Sequence, residues 1–450
     1  MKSRKILVAK IAAWGLIIST SAALEFAPGD DDPRARRRTP VVEVFDRCKD
    51  AVVYFTGPMA KDDSPPTAEF FKLPETRHEI VSNVGSGFIV HPDGYVLTNA
   101  HAAEKTIVPE VVLGNGKKYP AELIAVVRKQ DLALLKIDPP EPLCAVQFAP
   151  AGDLMIGETV IVIANPHGLR QTCTAGVLSA VGRSTKPSGL PGVKLQELIQ
   201  TDAGINPGSS GGPWLNVLGE AIGITVSRKS GSDNIAFAVA AAAMRNELPE
   251  MLNVERRFAL STGLTVPAGE PCKVAAVLPD SPGTDAGIRA GDVLARIDER
   301  PIRNGLDFHF ALLGRMPQQR IKLQLLRQGE PLEASLLLAA RPEADGAALL
   351  EQKFGLTAAP LDEAKAKATV LRVPRGVVIT AVDEEIYQNL KAPPLPGDVL
   401  ARINHIRPRN LDHVGLLIER IKPGQVTKMV LLRLKDNAAT RVDLTTTPRS

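Results

Sequence analysis

Residues 206–213 read Asn-Pro-Gly-Ser-Ser-Gly-Gly-Pro. Glycines at 208, 211 and 212 let the backbone adopt angles closed to other residues and leave room for a bound chain. A tight turn of this kind lifts the Ser210 hydroxyl clear of the main chain, and its N–H groups can converge on one point, as a developing oxyanion requires. The same composition also fits a plain solvated turn. What separates the two readings is a base, because a serine hydroxyl is barely ionised at neutral pH. Of seven histidines, His309, His405 and His413 fall in the C-terminal half, and His78, His91, His101 and His167 share the region of Ser210. His101 follows the apolar run Tyr95–Thr98 among small residues, where a strand end holds an imidazole and leaves one edge open. His91 and His167 stand beside prolines in turns and read as solvent-facing. A base needs an acid to fix its tautomer. Asp131 directly precedes the apolar run Leu132–Ile137, while Asp138 at its far end reads as a turn residue.

The elements that must position these groups are short strands. Val52–Phe55, Gly87–Val90, Tyr95–Thr98, Leu132–Ile137 and Val160–Ile163 are apolar or β-branched, with turn signals such as Pro92-Asp93-Gly94 and Gly114-Asn115-Gly116 between them. Many short strands without intervening helices predict an antiparallel barrel or sandwich from Val41 to about Ala240, closed by a helix over 240–252. Beyond it the chain repeats itself. Gly291-Asp292-Val293-Leu294-Ala295-Arg296-Ile297-Asp298 returns as Gly397-Asp398-Val399-Leu400-Ala401-Arg402-Ile403-Asn404, each copy preceded by Gly-Leu-Thr, at 263–265 and 355–357. Two copies are too few for a solenoid, so tandem modules are expected.

The 450 residues are 44% hydrophobic and 23% charged, ordinary for folded domains, and the net charge of +4 forms no basic patch after residue 40. That excludes the electrostatic footprint of a nucleic-acid-binding protein. Cys48, Cys144, Cys173 and Cys272 lack metal-ligand spacing, so no metal site and no cofactor is expected. An exported chain leaves room for one disulfide, which the sequence does not pair, and free, buried thiols are the reading taken. Lys2, Arg4 and Lys5 precede an apolar run from Ile11 to Ala23 ending in Ser-Ala-Ala, the pattern of an export signal. An uncleaved inner-membrane anchor is the alternative, and the membrane is a partner only in that case. Residues 24–40, rich in proline and charge, read as a disordered linker.

Together, Gly85-Ser86-Gly87-Phe88, Thr98-Asn99-Ala100-His101, Asp131-Leu132-Ala133-Leu134-Leu135 and Thr201-Asp202-Ala203-Gly204-Ile205-Asn206-Pro207-Gly208-Ser209-Ser210-Gly211-Gly212-Pro213 resemble the HtrA/Deg family of serine proteases. The order His, Asp, Ser is the chymotrypsin order. The resemblance implies a mainly β chain: a two-barrel chymotrypsin-like protease domain over 41–252, then two PDZ-like α+β domains at 253–341 and 354–446 with a linker at 342–353, all behind a leader at 1–23. It implies ATP-independent cleavage of misfolded or signalling proteins in the periplasm or cell envelope, and a homotrimer or larger assembly. His101 would be the base, Asp131 its orienting acid and Ser210 the nucleophile. N–H groups of Gly208, Ser209 and Ser210 would form the oxyanion hole, and Ile205, Ile222, Gly223, Ile224 and Thr225 would line an apolar specificity pocket. Segments 183–195 and 226–234 match loops that gate the site in relatives. Gly263, Leu264, Thr265 and Val266, and Gly355, Leu356, Thr357 and Ala358, occupy the position where a PDZ domain receives a peptide C-terminus. Ser209 stands where the family often has Asn, and Trp214 where it often has Leu. Trp214 either narrows the site or packs inside the barrel.

Two other readings share these residues. One is a non-catalytic scaffold that only holds unfolded chains, and the other is a membrane-anchored signalling protease of narrow specificity.

Overall fold

The computed structural model describes residues 34–449 apart from 59–79, 105–108, 166–170, 187–191, 229–233, 342–344, 362–375 and the single positions 389, 391, 405, 409, 420, 436 and 437. The expected leader at 1–23 lies outside the described residues, as do parts of both expected gating loops. Two compact units divide the chain, 1–43 and 44–450. The described part of the first is a 3-10 turn, Ala35–Arg37, and the start of helix α1 (Pro40–Cys48). Among the described residues no helix is long and apolar enough to cross a membrane.

The larger unit begins with strands β1 (Val52–Pro58), β2 (Ile80–His91), β3 (Tyr95–Thr98), β4 (Glu110–Val112), β5 (Lys118–Pro120), β6 (Glu122–Val127) and β7 (Leu132–Lys136), which form one antiparallel sheet in the order β5-β4-β1-β2-β3-β7-β6. The strands at its two ends, β5 and β6, are separated in sequence only by Ala121, so the sheet must curl round on itself. Val53, Phe55, Ile89, Val96, Val111 and Leu135 fill the interior. Strands β8 (Thr159–Ala164), β9 (Thr172–Thr185), β10 (Leu195–Thr201), β11 (Pro213–Leu215), β12 (Ala221–Arg228) and β13 (Ala236–Ala240) close a second barrel in the order β10-β13-β12-β11-β8-β9. Trp214 is fully buried in its core with Val160, Val162, Ile199 and Ile222. Its indole N–H donates to Thr225 Oγ1 at 2.9 Å, which satisfies the one polar atom that burial would otherwise strand. Of the two readings left open for Trp214, packing inside the barrel is the one observed. Besides the single turn α2 (Ala100–Ala103), the helices here are α3 (Ala241–Leu252) and α4 (Val254–Arg257).

Two similar modules follow. The first holds β14 (Leu260–Ser261) paired with β21 (Ala339–Ala340), β15 (Leu264–Thr265) paired with β16 (Ala276–Val277), helices α5 (Pro282–Asp285) and α6 (Gly305–Ala311), and a sheet of β17 (Val293–Ile297), β18 (Arg300–Pro301), β19 (Arg320–Arg327) and β20 (Glu330–Leu337). The second holds helices α7 (Gly346–Phe354), α8 (Glu384–Tyr387) and α9 (Leu411–Ile418) against a sheet of β22 (Leu356–Pro360), β23 (Val377–Val382), β24 (Val399–Ile403), β25 (Thr427–Lys435) and β26 (Ala438–Thr446). The repeat read from Gly-Asp-Val-Leu-Ala-Arg-Ile extends to its polar core. Asp292 and Asp398 are both 1% exposed. Each is gripped by both arms of an arginine 35 residues on, Arg327 (2.8 and 2.8 Å) and Arg433 (2.9 and 2.8 Å). A paired, forked contact is what makes a buried carboxylate tolerable.

Residues 342–353 are not a linker throughout. From Gly346 they form α7, capped by the Asp345 carboxylate on the Ala348 N–H, and Leu350 and Phe354 enter the core of the second module. His91 is likewise not solvent-facing. It is 7% exposed, with its ring 5.1 Å from that of Phe310 on α6. Nearby, Arg245 of α3 is 3% exposed and reaches both the Ala149 carbonyl (2.9 Å) and Glu270 (3.2 Å), tying the second barrel to the first module.

Candidate active site

Strands β3 and β7 pair with Thr98 opposite Ala133, so the residue groups just beyond their adjacent ends meet. After Thr98 the chain enters α2, which carries His101. Asp131 follows the 3-10 turn Arg128–Gln130 with φ 55° and ψ 43°. A left-handed residue with a side chain is uncommon, and local bonds hold this one in place. Asp131 N–H donates to the Arg128 carbonyl (3.1 Å), and its own carbonyl accepts from Ala100 N–H (3.2 Å) and the Asn99 side-chain amide (3.1 Å). The carboxylate, 0% exposed, therefore lies beneath His101. One oxygen accepts from the His101 backbone N–H at 3.0 Å and the other lies 2.7 Å from Nδ1. Nδ1 facing a carboxylate carries the proton, which leaves Nε2 as the acceptor, the tautomer a general base needs.

The Ser210 turn is fastened to the first barrel through Ser86 on β2. Ser86 N–H donates to the Ser210 carbonyl (2.8 Å), and Ser86 Oγ donates to the Gly208 carbonyl (2.7 Å) while accepting from Asn165 N–H (2.9 Å). Beside it, a Cβ at Gly85 would sit 3.2 Å from Ala102 Cβ and 3.4 Å from the Ser210 carbonyl. The helix carrying His101 and the turn carrying Ser210 thus converge on one side-chain-free point of β2. Gly211 has φ +86°, and a Cβ there would run into the Ser86 carbonyl and the Thr98 hydroxyl, so only glycine fits.

The peptide plane between Gly208 and Ser209 is pinned at both ends, its oxygen by Ser86 and its N–H by the Asn206 carbonyl at 2.9 Å. The flanking N–H groups, of Gly208 and Ser210, have no hydrogen-bond partner among the described residues. Ser209 therefore differs from expectation: its N–H is already spent, and its part is to orient the two free donors. Ser210 Oγ donates to the Val226 carbonyl at 3.4 Å, and no hydrogen bond joins it to His101 among the described residues. Val226 falls where β12 bulges between Thr225 and Ser227, which leaves its carbonyl out of the ladder.

The expected specificity pocket is placed differently. Ile222, Ile224 and Thr225 are 0–1% exposed, and the Thr225 hydroxyl is committed to Trp214 and to the Gly212 carbonyl. A Cβ on Gly223 would meet Ile199 and Ala238 of the barrel core. These residues form the barrel wall and its filling. The part of β12 beside Ser210 begins at Val226, and of the expected set only Ile205, partly buried at the edge of the core, stays accessible.

Both expected peptide-binding stretches lie on edge strands, β15 in a two-stranded pair and β22 at the end of its sheet. In the first, the N–H groups of Gly263 and Leu264 are taken by Ser261 Oγ (3.3 Å) and Thr262 Oγ1 (3.1 Å). Thr262 N–H and hydroxyl both donate to the Glu255 carboxylate of α4, the N–H at 2.9 Å. In the second, Gly355 is the left-handed cap of α7, and Leu356 and Ala358 are core residues. The sequence motifs include Ser86, Thr98 and Asn99 without giving them a role, and Glu255 is not singled out at all. For Ser86 the local signal is the pair of glycines around it.

Comparison with known proteins narrows what this site belongs to. A trypsin-like peptidase domain model matches residues 85–224, and a PDZ domain model matches 221–338. A probable periplasmic serine endoprotease DegP-like of Chlamydia trachomatis is 32% identical over 383 residues, 80% of this chain and 76% of that one. The chain belongs to the HtrA/DegP family of serine endoproteases. Another HtrA/DegP relative, the periplasmic serine endoprotease DegP of Escherichia coli K12, is 34% identical over 273 residues, 57% of this chain and 56% of its own. Among solved structures, the HtrA-type protease AlgW with a decapeptide aligns at 28% identity over 67% of this chain and 99% of that one, with a TM-score of 0.40. Membership of the HtrA/DegP family makes the chain an exported enzyme of the periplasm with a trypsin-like domain and PDZ domains.

Proposed function

We propose that residues 41–252 hydrolyse peptide bonds of unfolded or extended polypeptides through His101, Asp131 and Ser210. The observation that carries this reading is the double grip of Asp131 on His101, on the N–H and on Nδ1, beside the Ser210 turn. In the reaction Ser210 Oγ leaves the Val226 carbonyl by rotation about Cα–Cβ and gives its proton to His101 Nε2 as it attacks the substrate carbonyl. Catalytic bonds are commonly loose before substrate arrives. The buried Asp131 carboxylate stabilises the imidazolium that forms, and the Gly208 and Ser210 N–H groups receive the oxyanion. His101 then protonates the leaving amine, and water repeats the sequence on the acyl-enzyme. Ile205 bounds a pocket for a small or medium aliphatic side chain.

The modules at 253–341 and 345–446 take extended peptides, C-termini among them, by strand addition at β15 and β22. The enzyme works as a trimer or larger assembly on misfolded or signalling proteins, released from its leader or held by it. Glu255 in the first module and the rested Ser210 hydroxyl both support a gated enzyme.

Unfolded casein incubated with the purified chain tests the reading. Cleavage that disappears in Ser210→Ala is expected. Cleavage that survives Ser210→Ala would overturn it, and so would holding of unfolded chains without turnover, which replaces the protease by a scaffold.

A further inference from the structure

Cys48 ends α1, and that end is fastened to the turn between β11 and β12. Arg47 Nη2 donates to the Leu218 carbonyl at 2.5 Å, and Cys48 Sγ lies 3.6 Å from the Gly219 carbonyl. On its other side comes the connection from β7 to β8, whose Cys144 places Sγ 3.8 Å from the Arg47 carbonyl. In a trans peptide that oxygen and the next Cα are about 3 Å apart. The Cys144 sulfur is therefore within about 7 Å of the Cys48 Cα, and since a sulfur lies roughly 4 Å from its partner's Cα in a formed bridge, closure needs one segment to move by up to about 3 Å. Residues 139–145 are free of helix and strand, but Leu143 N–H donates to the Pro92 carbonyl (2.9 Å) and Leu143 and Ala145 pack on the core of the first barrel, so the movement falls to Cys144 itself and the end of α1. Cys144 is exposed and Cys48 is 5% exposed. Burial chiefly holds the Cys48 thiol above its ordinary pKa, and the neighbouring Cys144 adds to the rise. Cys173 lies on β9, and Cys272 is fully buried in the first module.

We infer that Cys48 and Cys144 form a disulfide once the chain reaches the oxidising periplasm, cross-linking the end of α1 to the β7–β8 connection. Such compartments form and keep protein disulfides. The oxidant is a protein disulfide of the exporting compartment, or oxidised glutathione in vitro. Accessible Cys144, as thiolate, attacks one sulfur of the oxidant, and a mixed disulfide forms as one thiolate leaves. Cys48 then attacks the Cys144 sulfur, closing the Cys48–Cys144 bond and expelling the second thiolate. The two cysteines lose two electrons and two protons, and the oxidant's disulfide gains them as two thiols.

The bond closes the stretch containing β1 to β7, the whole first barrel, into one covalent loop. A loop of this length lowers the unfolding equilibrium constant on the order of a thousandfold in the chain-entropy model. The same α1 end touches the turn after β11, so the cross-link also steadies the hairpin that follows Ser210.

The full chain, exported and quenched in acid with an alkylating agent, is digested without reduction and mapped by mass spectrometry. A peptide pair linking Cys48 to Cys144 is expected, absent in Cys144→Ser. Reduction should lower the urea midpoint of the parent and leave that of the Cys48→Ser/Cys144→Ser double variant unmoved. Free alkylation of both thiols after export and after oxidised glutathione would overturn the inference. So would Cys144 joined to Cys173 or to a second copy of the chain, or a midpoint that reduction does not change.

Discussion

Replacing Ser86 with alanine removes one oxygen from a strand that contains none of the three reacting residues. That oxygen donates to the Gly208 carbonyl at 2.7 Å and accepts from Asn165 N–H at 2.9 Å, fully buried. A buried carbonyl left without its donor costs about 1–3 kcal/mol, and with the Asn165 bond also lost the variant should be about 2–4 kcal/mol less stable. The kinetic effect should be larger than that suggests. Without Ser86 Oγ the peptide plane between Gly208 and Ser209 is held only by the Asn206 carbonyl, and the free N–H groups on both sides of it lose their aim. Loss of one oxyanion donor costs about 10²–10³ in kcat, so partial misalignment of two should lower kcat by about 10–100-fold. KM should stay within about threefold, because the contact is made only in the transition state. Steady-state cleavage of a fluorogenic peptide measures both constants, and urea unfolding measures stability. Val53→Ala, a core truncation in the same barrel, shows what lost stability alone does. A Ser86→Ala enzyme with kcat within about twofold of the parent would refute the pinned-peptide account.

Three further outcomes are expected. Gly211→Ala forces a side chain into a left-handed position against the Ser86 carbonyl and Thr98. It should cost more than about 3 kcal/mol in urea unfolding, and a stable, active Gly211→Ala protein would contradict that packing. Burial lowers the His91 pKa, with Arg300 and Lys136 adding to the fall and Asp93 opposing it. The unfolded ring takes up a proton near pH 6.5 and the folded one only below that, so stability is full above about pH 6.5 and declines as pH falls. Burial shifts His309 the same way, so the slope of the urea midpoint between pH 8 and 5.5 should shrink in His91→Phe without vanishing, and an unchanged slope would contradict the assignment. Glu255→Ala frees the Thr262 N–H, and a peptide ending in a free carboxylate should then bind the first module about tenfold more tightly by calorimetry, in line with one charge-assisted hydrogen bond. Equal affinity would show that Glu255 does not compete.

The three reacting residues were legible because their chemistry demands particular types in particular settings: a serine among glycines, a histidine after one strand, an aspartate before another. Their supports were not. Ser86 acts on a carbonyl 122 residues away, and nothing local to Gly-Ser-Gly tells a strand glycine from one that clears space for a distant turn. The pocket was misplaced for a related reason. Alternating Ile222, Ile224 and their neighbours read equally well as pocket lining or barrel filling, and which side is inside is settled only by closure of the barrel around Trp214. Helix α7 was readable and passed over. Asp345 three residues before Ala348, with Leu350 and Phe354 four apart, is a capped amphipathic start, hidden by its place between two copies of a repeat.

The most direct test of the central claim is covalent titration with a fluorophosphonate, which reacts only with an activated serine. One phosphonyl group per chain is expected, mapped by mass spectrometry to Ser210, with labelling abolished in His101→Ala and slowed by about 10⁴ in Asp131→Asn, where the tautomer is lost. An unlabelled parent chain, or labelling of Ser209 or Ser86 in place of Ser210, would contradict it.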